Sequence, residues 1–164
     1  MKNGGLEAQD VAADAAHGFQ KPWLGGGVGV GKTDVGSLWT LQRVMETPPG
    51  VLGLIGANTY GQLYDATLRN LFRNLDEWGW PHKPTTLPGG HAPLTLKISN
   101  GRRWVEILCR SMDAYESLSG IQVGWFWLDE VWQTKREAFN LVQARAREQD
   151  VNPGLLTTTL DDPA

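Results

Sequence analysis

The chain has 164 residues, 41% hydrophobic and 20% charged, with a formal net charge of −3. That length fits one domain with a sizeable core, and that charge argues against a free-standing basic nucleic-acid binder while leaving room for a local basic patch. The one cysteine, Cys109, excludes an intrachain disulfide and reads as a small buried hydrophobe.

Residues 1–18 read as a loose or weakly helical arm. They lack the basic start and apolar centre of a signal peptide, and no apolar run reaches the ~20 residues of a bilayer span, so a cytosolic location is expected. A short apolar stretch, Phe19 to Leu24, is the first strand candidate. A glycine-rich run follows, and the spacing of Val35, Leu38, Trp39 and Val44 predicts a helix from Lys32 to Glu46, stopped by Thr47-Pro48-Pro49-Gly50. Val51 to Gly56 is continuously apolar, as a buried parallel strand is. Leu63, Leu68, Leu71, Phe72 and Leu75 predict a second helix from Tyr60 to Trp78. Gly79 to Pro93 reads as a loop rich in proline, glycine and threonine. Leu94–Ile98 and Trp104–Leu108 alternate with period two around Ser99-Asn100-Gly101, a hairpin signal. Tyr115 to Ser119 reads as a short helix, Val123 to Leu128 as a second buried strand, Lys135 to Arg147 as a helix and Gly154 to Thr158 as a last strand. Of the eight tryptophans, Trp125, Trp127 and Trp132 cluster, as core packing or a contact surface. Strands alternating with helices imply an α/β fold, a three-layer sandwich whose mainly parallel sheet carries the hairpin as an antiparallel addition.

Three stretches carry chemistry. Gly26-Gly27-Val28-Gly29-Val30-Gly31-Lys32-Thr33 satisfies G-x-x-x-x-G-K-[ST], the phosphate-binding P-loop or Walker A pattern. Glycines bring backbone N–H groups close to phosphate oxygens, and the following helix adds positive charge at its N-terminus. Lys32 would reach the β- and γ-phosphates of ATP, and the Thr33 hydroxyl would ligate Mg²⁺. Next, Asp129 and Glu130 end a buried strand, at the sheet edge where α/β folds bind ligands. Asp129 would hold Mg²⁺, directly or through water, and Glu130 would act as general base on the attacking water. Without the P-loop, the same pair would equally read as helix-capping acids. Finally, Thr157, Thr158 and Thr159 could sense the γ-phosphate, although in isolation a β-prone edge with exposed threonines explains them better. Cationic candidates for transition-state charge are Arg102, Arg103, Arg110, Arg145 and Arg147, with Arg145 and Arg147 favoured for a contact to nucleotide or neighbour. His17, His82 and His91 have no metal-ligand spacing.

These motifs, in this order, resemble the N-terminal ATPase domain of phage terminase large subunits, the DNA-packaging motors of tailed viruses. The loop Gly26–Thr33 is similar to the family's Walker A. Gly56 to Asp65 is similar to its segment after the second strand. Ser119 to Gly124 leading into Trp127-Leu128-Asp129-Glu130 resembles its approach to Walker B, and Thr157-Thr158-Thr159 its coupling motif. The similarity covers about Phe19 to Pro163. It implies a P-loop NTPase of the ASCE type and a Mg²⁺-dependent ATPase in a homo-oligomeric ring. Its expected partners are double-stranded viral DNA, the portal or prohead and the small terminase subunit, in the host cytoplasm during virus assembly. Val28 and Val30 stand where many members place an arginine, and neither Gln9 nor Gln20 has the spacing of the family's adenine-binding glutamine. The chain stops just after the coupling motif, so a C-terminal truncation is expected and no nuclease activity is carried over. Two rival readings are a helicase-like ASCE ATPase and a nucleotide-binding assembly module without turnover.

Overall fold

A computed structural model describes residues 23–26, 31–86, 94–146 and 154–159. Seven strands form one sheet in the order β1-β7-β6-β2-β5-β4-β3. They are β1 (Trp23–Gly26), β2 (Gly53–Ala57), β3 (His82–Thr86), β4 (Leu94–Ser99), β5 (Trp104–Ser111), β6 (Trp125–Leu128) and β7 (Gly154–Thr159). Neighbours from β1 to β5 run parallel, and β4 and β3 add on antiparallel beyond β5. Helix α1 is Lys32–Glu46. Helix α2 runs through Tyr60–Gln62, a π-helical segment Leu63–Leu68, and Arg69–Glu77. Helix α3 is Arg136–Arg145, and two 3₁₀ segments are Met112–Leu118 and Val131–Gln133.

The continuous apolar runs are explained by burial on both faces. Alternate residues of β2 and β6 point into two separate cores. Ile55, Trp125 and Trp127 join Trp39 and Val44 of α1 and Leu63, Leu71 and Leu75 of α2 in one of them. Leu54, Phe126 and Leu128 join Met112, Leu118, Ala138 and Val142 on the other face. The result is the expected three-layer sandwich.

One expectation is corrected. His82–Thr86, inside the stretch read as a loop, is the edge strand β3, paired with β4 from His82↔Ile98 to Thr86↔Leu94. An edge strand bonds on one side only, so it tolerates Pro84 and needs no apolar alternation. Nothing in its own sequence marks it as a strand. Several other boundaries shift by a residue or more: β2 and β6 begin two residues later than the apolar runs, and β1 lies at the end of its apolar stretch. No described helix is long and apolar enough to cross a membrane.

Candidate active site

The parallel strands deliver three chain segments to one edge of the sheet. β1 ends at Gly26, in register with Thr159 at the end of β7. The last residue of β6, Leu128, pairs with Leu156, so Thr157–Thr159 extend past it. The three threonines therefore lie between the end of β1, where the glycine-rich run begins, on one side and Asp129-Glu130 on the other.

Gly31 caps α1 with φ 79° and ψ 22°, a left-handed conformation that glycine adopts without a Cβ clash. Its carbonyl accepts the Val35 N–H at 3.0 Å, which starts the helix directly at Lys32 and Thr33. Lys32 is buried and Thr33 half-buried. The Thr33 carbonyl accepts the Ser37 hydroxyl at 2.9 Å. Asn74 of α2 donates to Asp34 at 2.8 Å and to Ser37 at 3.1 Å, tying the two helices together. Gly27, Val28, Gly29 and Val30 lie outside the described residues, as do Arg147, Gln9, Gln20, His17 and His91.

Asp129 is 5% exposed and accepts three hydrogen bonds among the described residues. Thr157 donates to Oδ1 at 2.7 Å, Thr67 donates to Oδ2 at 2.7 Å, and the Glu130 N–H donates to Oδ1 at 3.1 Å. The Thr157 hydroxyl in turn accepts the Trp127 indole N–H at 2.9 Å. The backbone N–H of Asp129 donates to the Gly56 carbonyl of β2 at 2.8 Å. Thr67 carries no sequence motif. The available signal is a polar residue at a buried position of an otherwise apolar helix face, and Asn74 has the same signature.

Glu130 has φ 51° and ψ 45°, the sole non-glycine residue with positive φ among the described residues. A left-handed residue costs roughly 1–2 kcal/mol, and such conformations cluster at active sites. The twist sends Glu130 away from the strand direction that buries Asp129. Its Oε2 accepts the Trp132 indole N–H at 3.1 Å, with Trp132 57% exposed. Trp125 and Trp127 are core residues, so the tryptophan cluster divides between packing and surface. Thr158 is buried.

The arginines fall elsewhere. The Arg145 carbonyl accepts the Val123 N–H at 3.0 Å, at the far end of β6 from Asp129. Arg145 is therefore not brought to the acid pair. Arg110 donates to the Leu94 and Cys109 carbonyls, and Arg103 to the Thr47 carbonyl, while Arg102 is exposed. Cys109 is fully buried and its thiol is pushed up to about 12 by burial, as the reading of it as a core hydrophobe requires.

Burial also raises the Asp129 carboxyl above its ordinary value, against the pull of the Thr157 and Thr67 donors. Ionising it in the fold therefore costs stability. Below the unfolded value, near ~3.9, it is protonated in both states and costs nothing; the cost grows as pH rises through the raised folded value and persists above it. Asp129→Asn should accordingly raise the Tm at pH 8 in the absence of nucleotide, by about 2–4 °C per kcal/mol relieved. The gain should vanish near pH 4, as checked by thermal melts at both pH values.

The family described as terminase large subunit, T4likevirus-type, N-terminal, matches residues 23–162. The chain belongs to this family. Its fold is also that of solved large terminases. The large terminase of a thermophilic bacteriophage aligns with a TM-score of 0.78 at 18% identity, over 94% of this chain and 38% of that one. That phage protein has also been solved with ADP and with ATP-gamma-S. The large terminase ATPase domain of Thermus phage P74-26 aligns at 0.62 and 19% identity, over 90% of this chain and 63% of that domain. The HK97 bacteriophage large terminase aligns at 0.59 and 19% identity, over 97% and 33%. No match is found among curated proteins. The chain thus spans about two fifths or less of the large terminases it resembles, and the likeness at these identities is one of fold.

Proposed function

We propose that this terminase domain binds ATP with Mg²⁺ and hydrolyses it, as the motor that drives viral DNA into the prohead. The observation that carries the reading is the placement of β7: one strand holds Thr157 against Asp129 while its end runs beside the P-loop strand. The complexes of the thermophilic phage terminase with ADP and ATP-gamma-S support the same ligand class here.

The chemistry follows from the groups present. Gly26 to Gly31 would cradle the phosphates through backbone N–H groups, as their sequence pattern calls for, and the start of α1 adds its positive end. Lys32 neutralises the β- and γ-phosphate oxygens. Glu130 accepts a proton from the water that attacks the γ-phosphorus in line. Thr33 and Asp129 would hold Mg²⁺, which supplies charge neutralisation on the phosphate oxygens when bound. The donor set fits that ion. A carboxylate offers about four lone-pair positions, and three of those on Asp129 already receive Thr157, Thr67 and the Glu130 N–H. Among the described residues one position on Oδ2 is left, which suits contact through a metal-bound water better than bidentate ligation. Mg²⁺ keeps several waters and takes its other ligands from phosphates. A cluster of protein ligands is therefore unnecessary, and among the described residues none of three or more His, Cys, Asp or Glu occurs.

Thr157 links the acid to β7, and with Thr158 and Thr159 it would pass loss of the γ-phosphate to the strand beside the P-loop. The cationic group that stabilises the transition state would come from a neighbouring subunit of a homo-oligomeric ring, since Arg145 lies at the wrong end of β6. Double-stranded DNA, the portal or prohead and the small terminase subunit are the partners this reading requires, in the host cytoplasm.

Lys32→Ala is the decisive test. Titration calorimetry with ATP-gamma-S and a turnover assay should both fall to background, a loss of at least about a hundredfold. Unchanged binding and turnover would defeat the P-loop reading. Binding without turnover in the wild-type protein would favour an assembly module instead.

A further inference from the structure

Helix α2 makes two contacts with the segment that follows β6, and they are five residues apart. The Gln62 amide donates to the Gln133 side chain, and the Thr67 hydroxyl donates to Asp129 Oδ2. In an α-helix, residues five apart point about 140° away from each other. A π turn closes i to i+5 and brings such a pair to nearly one side. The π segment Leu63–Leu68 occupies the interval between the two contacts. It is thus the feature that lets a capped helix start and a buried hydroxyl reach the same acid-bearing segment. The start is fixed by a capping box, in which Thr59 and Gln62 bond reciprocally. The far end is fixed by Asn74, which bonds Asp34 and Ser37 on the P-loop helix. Leu71 is fully buried between these anchors and Leu75 just beyond the second.

We propose that Thr67 is a positioning residue for Asp129, aimed by the π segment, and that α2 acts as a strut joining the P-loop helix to the acid. The proposal rests on the reading of Asp129 as the residue that contacts Mg²⁺. Two hydroxyls grip the carboxylate from opposite sides, Thr157 on Oδ1 and Thr67 on Oδ2. Thr157 follows β7, whereas Thr67 follows α2 and hence the P-loop helix. Thr67 fixes the rotation of the carboxylate and leaves one lone pair of Oδ2 directed to the ion's water. Without that bond the carboxylate is held through Oδ1 alone, by Thr157 and the Glu130 N–H, and Oδ2 loses the donor that sets its direction.

The test compares wild type, Thr67→Val and Thr67→Ser in the full chain. Calorimetry follows ATP-gamma-S binding as a function of Mg²⁺ concentration, alongside thermal melts. Thr67→Val should shift the Mg²⁺ midpoint upward by about tenfold, the loss of one hydrogen bond to a charged group, while affinity in saturating Mg²⁺ stays at the wild-type value. Thr67→Ser should restore the midpoint. A purely structural role would lower the melting temperature or weaken binding at every Mg²⁺ concentration, and would leave the midpoint in place. Where valine disturbs the packing, Thr67→Ala removes the hydroxyl without adding a methyl and gives the same readout. Wild-type midpoints in Thr67→Val and Thr67→Ala would overturn the proposal alone. Absence of Mg²⁺-dependent binding in the wild-type protein would overturn the nucleotide-site reading and the proposal with it.

Discussion

Glu130→Gln should leave ATP bound and reduce its hydrolysis by about 10²–10⁴-fold, the contribution of a positioned general base. Glutamine keeps the size and the ability to accept the Trp132 indole N–H, so the local hydrogen bond survives. It cannot take a proton from water. The left-handed backbone at Glu130, at the start of the Val131–Gln133 turn, does not depend on side-chain charge and should remain. Single-turnover hydrolysis and calorimetric ATP-gamma-S binding on the same preparation separate the two effects. Undiminished turnover would remove Glu130 from the role of base. Equal loss of binding would show that it holds nucleotide instead.

The second large effect is expected at Gly36, one turn into helix α1. A Cβ built there meets the Trp127 ring at 2.0 Å, well inside the ~3.5–4.0 Å of carbon–carbon contact. Trp127 is fully buried, so its ring has nowhere to go without disturbing the first core. Its indole N–H also holds Thr157, which holds Asp129. Gly36→Val should therefore destabilise the fold by about 1–3 kcal/mol or more, the cost of overpacking, and weaken Mg²⁺-dependent nucleotide binding with it. Urea unfolding measures the first effect and calorimetry the second. Gly50→Ala is a useful comparison, because nothing lies within 4 Å of its Cβ position and the strain there is of backbone alone. Wild-type stability in Gly36→Val would mean that α1 and β6 are more loosely packed than the ring contact indicates.

Gly36 has no local reason to be glycine. Within the predicted helix it is an unfavourable residue with no turn to explain it. Only the approach of β6 gives it a reason. Lys32 and Thr33 follow a pattern complete within eight consecutive residues, so they could be named without any knowledge of the sheet. The same holds for the two apolar strands, since burial on both faces writes itself into a short local run. Arg145, read as a contact to nucleotide or neighbour, lies at the start of β6 and away from the acid pair, because its helix runs back in a direction that the order of elements leaves open. β3 failed because an edge strand is defined by its partner.

The division between the two sources has a physical basis. The sequence by itself determined the glycine-rich G-x-x-x-x-G-K-[ST] pattern, the acid pair, the threonine run, the alternation of strands and helices, and hence the family. Each of these depends on residues adjacent in the chain, through backbone conformation and side-chain periodicity. The tertiary structure alone decided that β7 lies between β1 and β6, that Thr157 and Thr67 both bond Asp129, and that a π turn aims the second of them. Those contacts join residues 28 and 62 positions apart. Their geometry is set by strand order and by one extra residue in a helical turn, which no local pattern of residue types encodes.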